Sequence, residues 1–402
     1  MTIQRMTAGR PAETTAQPSR DWRLQATWAA LFLNVLPFTG DHLLPLPAIV
    51  GQLIAQGALP VALVLALLAN PRGLVRPNVH VVLFSLLCLL AVMVSLHNPF
   101  LVSSTYRALR FSGYVLVLWL LSPFWGRRDL ALLRCHRVCL VVVLSSVALG
   151  AVISPGKAFA FDGRLAGIIW PVFPTAVAHM AAILAGTSAL LWMCRVISGR
   201  NAVATIVLAA PVLVATHTRT ALLAGAVGLV CASASLLLAR SRARRTWIWG
   251  GVLSTAVFVV FASELMSWLL RGQTASQASG LTGRTTVWSQ VLDHPRSLGQ
   301  QLFGSGMSNL SFNGSAIDSN WVGTYLDLGL VGAAIQILLL AILLLTALTR
   351  PSGPRRAVAI FLIVYCIFAS ITETGLSGPS AVVLDLAVAS ALIARPSERP
   401  TG

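Results

Sequence analysis

The chain is short of charge. Only 10% of its 402 residues are Asp, Glu, Lys or Arg, where a soluble domain carries about 25%. Acidic residues are scarcest, with twelve in all against 28 Arg and a single lysine, Lys157. With 56% of residues hydrophobic, this excludes a soluble globular domain. Paired cysteines are also missing. Cys88, Cys135, Cys139, Cys194, Cys231 and Cys366 lie in apolar runs or beside Arg-rich clusters, with no Cys/His spacing that suits zinc. They read as small apolar fillers, which excludes a disulfide framework. No two histidines or carboxylates share a convincing ligand spacing, so neither a metal nor a cofactor is expected. Residues 1–23 hold four arginines and no apolar core, which excludes a signal peptide and predicts a disordered cytoplasmic tail. There is no internal repeat and no low-complexity tract.

What the chain has instead is apolar runs, each long enough to cross a hydrocarbon core of ~30 Å. They predict an all-α, polytopic integral membrane helix bundle of about twelve transmembrane helices over residues 24–394. The expected spans are 24–40, 48–69, 79–96, 108–125, 138–154, 166–194, 202–216, 220–239, 246–266, 321–348, 357–371 and 381–394, with a cytoplasmic tail at 395–402. Pro171 and Pro174 are expected to kink or delay the sixth span. The net charge of +17 does not point to nucleic acid, because its placement follows the positive-inside rule. Every second connection carries at least two arginines, and both termini fall on that cytoplasmic side. The basic residues left outside are Arg107, Arg110, Lys157, Arg164, Arg219, Arg271, Arg284 and Arg296.

One long polar stretch, 267–320, separates spans 9 and 10 and reads as a large extracytoplasmic loop. Within it Val287, Trp288, Val291 and Leu292 make one apolar helical face after Arg284. Phe303-Gly304-Ser305-Gly306 reads as a flexible turn. Arginines at the edge of apolar spans cost about 2.5–3.5 kcal/mol on insertion scales, so Arg164, Arg219 and Arg284 stand out, all on the outer side. Guanidinium groups match phosphate oxygens bidentately, and three of them at headgroup level suit a diphosphate-linked lipid. The competing readings are snorkelling to lipid phosphate, or pairing with Asp162 or Glu264. Asp318 at the loop exit is a candidate proton acceptor, with a helix N-cap as the alternative. Arg107, His217, Tyr325 and Glu373 are accessory candidates. Interfacial anchoring competes for Arg107, a solvated turn for Glu373, and a structural role for His217 and for His179 inside span 6. Asp327 and Asp385 lie within spans and need partners that the sequence does not name.

In order along the chain, several landmarks resemble one family, the bacterial O-antigen polymerases and O-antigen ligases. They are Gly163-Arg164-Leu165-Ala166-Gly167, Thr216-His217-Thr218-Arg219-Thr220-Ala221-Leu222-Leu223, Gly283-Arg284 with Trp288, Pro295 and Gly304-Ser305-Gly306, and Asp318 with Gly329 and Gly332. The late outer loop is similar too. The resemblance implies glycosyl transfer from a polyprenyl-diphosphate-linked oligosaccharide at the outer face of the bacterial inner membrane, without metal. Arg164, Arg219 and Arg284 would hold the diphosphate and stabilise it as leaving group. The implied partners are that lipid-linked oligosaccharide, membrane lipid, and a chain-length regulator or other polysaccharide-assembly proteins. Ligases are expected to carry histidine where Asp318 stands, which favours polymerisation of repeat units over ligation to a lipid or protein acceptor. A transferase using polyprenyl monophosphate sugars would need acidic residues in a substantial first outer loop, and here that loop holds only Asp41. A lipid flippase or other transporter, and a structural partner in an assembly complex, are the non-enzymatic alternatives.

Overall fold

The computed structural model describes residues 21–38, 43, 47–237, 239–270 and 284–395. Most of the N-terminal tail, Asp41 and His42, residues 271–283 and the last seven residues lie outside the described residues. The described chain is an all-α bundle: α1 Asp21–Val35, α2 Ala48–Ala69, α3 Val79–Ser95, α4 Leu101–Leu121, α5 Asp129–Ile153, α6 Pro155–Ala158, α7 Pro174–Met193, α8 Gly199–Ala215 and α9 Arg219–Ala234. There follow α10 Ser241–Val260, α11 Ala262–Leu270, α12 Arg284–Asp293, α13 Leu298–Phe303, α14 Asn320–Thr349, α15 Pro354–Thr372 and α16 Ala381–Ile393. A two-residue hairpin, β1 Ser311–Phe312 with β2 Ser315–Ala316, interrupts the loop before α14.

Five helices, α2, α5, α7, α14 and α15, are long and apolar enough to cross a membrane, and α3, α8, α9 and α16 are shorter apolar ones. The bundle turns apolar surface outward as well as inward. Ile49, Leu53, Val61, Val64 and Leu67 of α2 are exposed, a contiguous patch that water would not tolerate and lipid would. The inner helices are α7, α15 and α16. Nearly every α16 side chain is buried, and α15 packs on α9, α16, α14 and α7.

Each expected span overlaps a described helix, but the fifth begins at Asp129 rather than 138, so Arg134 and Arg137 lie inside α5, and three other departures are local. The fourth begins at Leu101 rather than 108, so Arg107 and Arg110 lie inside α4. Arg110 donates from Nη2 to the Asn34 carbonyl at 2.7 Å, which lets the helix start early by giving the cation a partner. The sixth begins only at Pro174. Pro171 lacks a donor and residues 167–172 form a bridged turn instead, with Pro174 at the first helical position where its missing N–H costs nothing. The ninth is divided at Phe261 between α10 and α11.

The arginine-rich connections collect at one end. Arg355 holds the buried Asp129 through Nε at 2.5 Å and Nη2 at 3.1 Å. Arg76 donates to the carbonyls of Arg395 at 2.6 Å and Trp125 at 3.3 Å. Arg355 lies in the first turn of α15 and Glu373 just past its last, so at 1.5 Å per residue the two ends of the bundle are about 27 Å apart.

The turn at Gly304 is not flexible. Helix α14 breaks at Gly329, with φ 66° and ψ −166°, and the break frees carbonyls that the turn satisfies. Ser305 N–H donates to the Leu326 carbonyl at 3.0 Å and Gly306 N–H to that of Asp327 at 2.9 Å. This is how a broken helix is tolerated at membrane depth, by re-satisfying its backbone groups within protein. The approach is backbone on backbone: a Cβ on Gly304 would stand 2.3 Å from the Asp327 carbonyl, and one on Gly329 2.4 Å from that of Leu302. Asn98 then ties the turn to the end of α3 by donating to the Ser305 carbonyl at 2.6 Å.

Candidate functional site

The site lies at the end opposite the arginine-rich connections and is assembled from four separate stretches. The first is the tight turn Phe161-Asp162-Gly163-Arg164. Asp162 and Gly163 have φ of 50° and 69°, and Phe161 and Arg164 pair across the turn, the Asp-Gly pattern of a primed hairpin turn. It holds Arg164 against the α8–α9 connection. Arg164 donates from Nε to the Thr216 carbonyl at 2.9 Å and from Nη2 to Thr218 Oγ1 at 3.0 Å. Two bonds of that kind leave a planar five-donor group oriented, with donors to spare.

The second stretch is α12. Val287 and Trp288 pack, with the fully buried Val291, on Ile317 and Val322. These two residues flank Asp318 in sequence, so the apolar face of α12 carries its first residue, Arg284, to the loop exit. Arg284 Nε lies 3.2 Å from Asp318 Oδ2. Ser319, not Asp318, is the N-cap of α14 and makes no side-chain cap bond. The Asp318 carboxylate is therefore not used as a cap.

The third stretch is the end of α15. Glu373 Oε1 lies 4.0 Å from Arg284 Nη2 and 3.9 Å from His179 Nε2 of α7. The other nitrogen of His179, Nδ1, is hydrogen-bonded to the Tyr365 hydroxyl. The fourth is the α8–α9 connection, tied back to α15 by the Thr220 and Thr372 hydroxyls at 2.7 Å. Arg219, half-buried, opens α9 between Thr218 and Thr220, both of which are fastened to this cluster.

The expected residues therefore divide. Arg164, Arg284, Asp318 and Glu373 come together, with Arg219 in the connection they share. His217, with φ 50°, stacks on Trp268 of α11 at 5.1 Å. Tyr325 lies beneath the Arg296 guanidinium, 4.8 Å from its ring centre. Arg107 faces a separate cavity. Sequence reasoning gave His179 a structural role and did not single out Tyr365, because their meeting depends on α7 packing against α15 and no local spacing announces it. It also missed the partner of Asp385, which is His136 of α5 at 2.9 Å.

The electrostatics follow from burial and neighbours. Partial burial pushes the Asp318 carboxyl above its usual value and Glu373 pushes the same way, while Arg284 opposes them. Burial lowers the Arg164 guanidinium, as does Arg284, and Glu373 and Asp162 partly offset this. Two guanidinium groups thus converge beside two carboxylates, with Arg284 3.2 Å from Asp318 and 4.0 Å from Glu373. Such an arrangement brings guanidinium donors and carboxylate acceptors to one place. Below it lies a mostly apolar cavity of about 250 Å³, with His179, Tyr365 and Glu373 at one part and His136 and Asp385 at another. Compared with known proteins, the chain matches no family model and none of the curated proteins.

Proposed function

We propose that this chain is a membrane glycosyltransferase of the O-antigen polymerase kind, joining polyprenyl-diphosphate-linked oligosaccharide units at the outer face of a bacterial inner membrane. The reading has twelve crossings with both termini in the cytoplasm. The observation that carries it is the convergence of Arg164 and Arg284 with Asp318 and Glu373, at the end of an apolar bundle that lacks the arginine-rich connections. In this reading Arg164, Arg219 and Arg284 grip the diphosphate. An acceptor sugar hydroxyl attacks the anomeric carbon of the donor. The carbon–oxygen bond to the diphosphate breaks, and its electron pair leaves with the diphosphate. The hydroxyl proton passes to Asp318 and then to water. The guanidinium groups act because they are fixed before charge develops on the leaving group.

The test is a reconstituted reaction of purified protein with a polyprenyl-diphosphate oligosaccharide in EDTA, resolved as a product ladder. A ladder from wild type that disappears in Arg219→Ala, Arg284→Ala and Asp318→Ala supports polymerisation. One added unit on a supplied lipid or protein acceptor supports ligation instead. A second reading is transport, favoured by the break of α14 at Gly329, since discontinuous helices mark many transporter sites. Movement of the lipid-linked oligosaccharide across vesicles, with no new glycosidic bond from any donor, sinks the enzymatic reading in its favour.

A further inference from the structure

A second cavity lies beside the cluster and differs from it in chemistry. It has a volume of about 450 Å³ and is walled by α2, α4, the segment from Met307 to Leu310, Asp327 of α14 and the loop after Glu373. Gln56, Tyr106, Arg107, Ser308, Asp327 and Ser377 face it. The volume falls within the ~300–1,000 Å³ of ordinary small-molecule sites.

Asp327 is the informative group. It is 1% exposed, and its Oδ1 has no hydrogen-bond partner in the protein. Ser308 donates to the carboxylate from its hydroxyl and its backbone N–H, which leaves Oδ1 as the one buried oxygen still open to a donor that arrives from outside. The break at Gly329 places it there, because Asp327 sits in the last turn before the interruption. The rest of the wall supplies hydroxyls, an amide, a phenol and the two guanidinium groups of Arg107 and Arg110. Tyr106 is exposed and donates to Gln56 Oε1 at 3.0 Å, which fixes the ring at the rim. An isoprenoid tail would leave these polar groups unpaired. A lipid-linked diphosphate offers acceptor oxygens only and no donor for Asp327 Oδ1. A polyol with both donor and acceptor hydroxyls meets each of them.

We propose that this cavity is a saccharide subsite that binds the sugar end of the acceptor oligosaccharide. The proposal rests on the glycosyl-transfer reading and adds where the acceptor lies. Thr374, the residue after Glu373, is part of the cavity wall, so a sugar seated here ends beside the arginine and carboxylate cluster.

The test uses the full chain in lipid nanodiscs. The probe is the oligosaccharide pool freed by mild acid from the source cell's own polyprenyl-diphosphate lipids, read by saturation-transfer NMR. The expected result is sugar binding by wild type, weakened at least tenfold in Asp327→Asn and in Tyr106→Ala. Asp327→Asn keeps shape, and Tyr106→Ala alters an exposed rim, so the two do not share a folding defect. No sugar signal from wild type overturns the proposal, as does binding that neither variant weakens. If the intact lipid donor gives no transfer while these binding effects persist, the enzymatic reading falls and the saccharide subsite stands.

Discussion

Replacing Gly329 by alanine tests whether the clasp between the Gly304 turn and the break in α14 holds this end of the bundle together. The backbone there, φ 66° and ψ −166°, lies in a region populated almost solely by glycine, and forcing another residue into it costs about 1–3 kcal/mol. The new Cβ would stand 2.4 Å from the carbonyl of Leu302. Restoring ordinary contact means parting two backbones by roughly 1 Å, at an overpacking cost of about 1–3 kcal/mol. That separation removes the two clasp hydrogen bonds, worth about 1 kcal/mol each. The total is about 4–8 kcal/mol, comparable with the entire stability of many proteins. Gly314→Ala is the control: its φ is 79° but nothing lies within 4 Å of a new Cβ, so only the conformational cost of about 1–2 kcal/mol applies. Unfolding followed by tryptophan fluorescence in detergent compares them. Gly329→Ala is expected to lose folded protein at conditions where Gly314→Ala keeps it. Gly304→Ala combined with Gly329→Ala is expected to cost less than the sum, because both break one clasp. Equal stability of the two single variants would refute the reasoning.

Arg284→Ala is expected to change stability by less than about 1 kcal/mol, because the side chains of its pair with Asp318 are 26% and 45% exposed. Glycosyl transfer by the same variant should fall about 10²–10³-fold, and unfolding and product assays run side by side check the contrast. At the opposite end, Arg355→Ala strands the buried Asp129 carboxylate and should cost about 3–5 kcal/mol, most of it regained in the double variant with Asp129→Asn. The Asp318 carboxyl titrates above its ordinary 3.8, so the folded state holds that proton to higher pH. Any stability from it is present at low pH and fades as pH rises through the raised value, while transfer needing the carboxylate rises over the same window. The acid limb of the rate profile should move downward in Glu373→Gln, which removes the neighbouring negative charge, and an unmoved limb would count against Asp318 as proton acceptor.

The helices were legible because apolar runs and arginine clusters are local signals, and lipid and backbone satisfaction act on each segment separately. The start of α4 was not, because Arg107 and Arg110 look like span boundaries until Arg110 finds the Asn34 carbonyl. At the site, Arg164, Arg284 and Asp318 could be chosen from sequence as charges left over once topology was satisfied. His179 could not, since its meaning comes from Glu373 and Tyr365, 194 and 186 positions along the chain. The Gly304 turn was misjudged for a similar reason. Two glycines permit either a loose loop or a close backbone approach, and only the break at Gly329 decides between them.

The two sides of the arginine and carboxylate cluster are held very differently. His179 and Glu373 belong to α7 and α15, helices wrapped by neighbours and fastened to the bundle along their length. Arg284 rides on a ten-residue helix whose grip is a small patch around Val291, Ile317 and Val322. The cluster therefore works like a vice with one jaw cast into the frame and the other on a short arm. Any change in the spacing between Arg284 and Glu373 therefore has to come from the short arm, because the frame side is fixed along two whole helices.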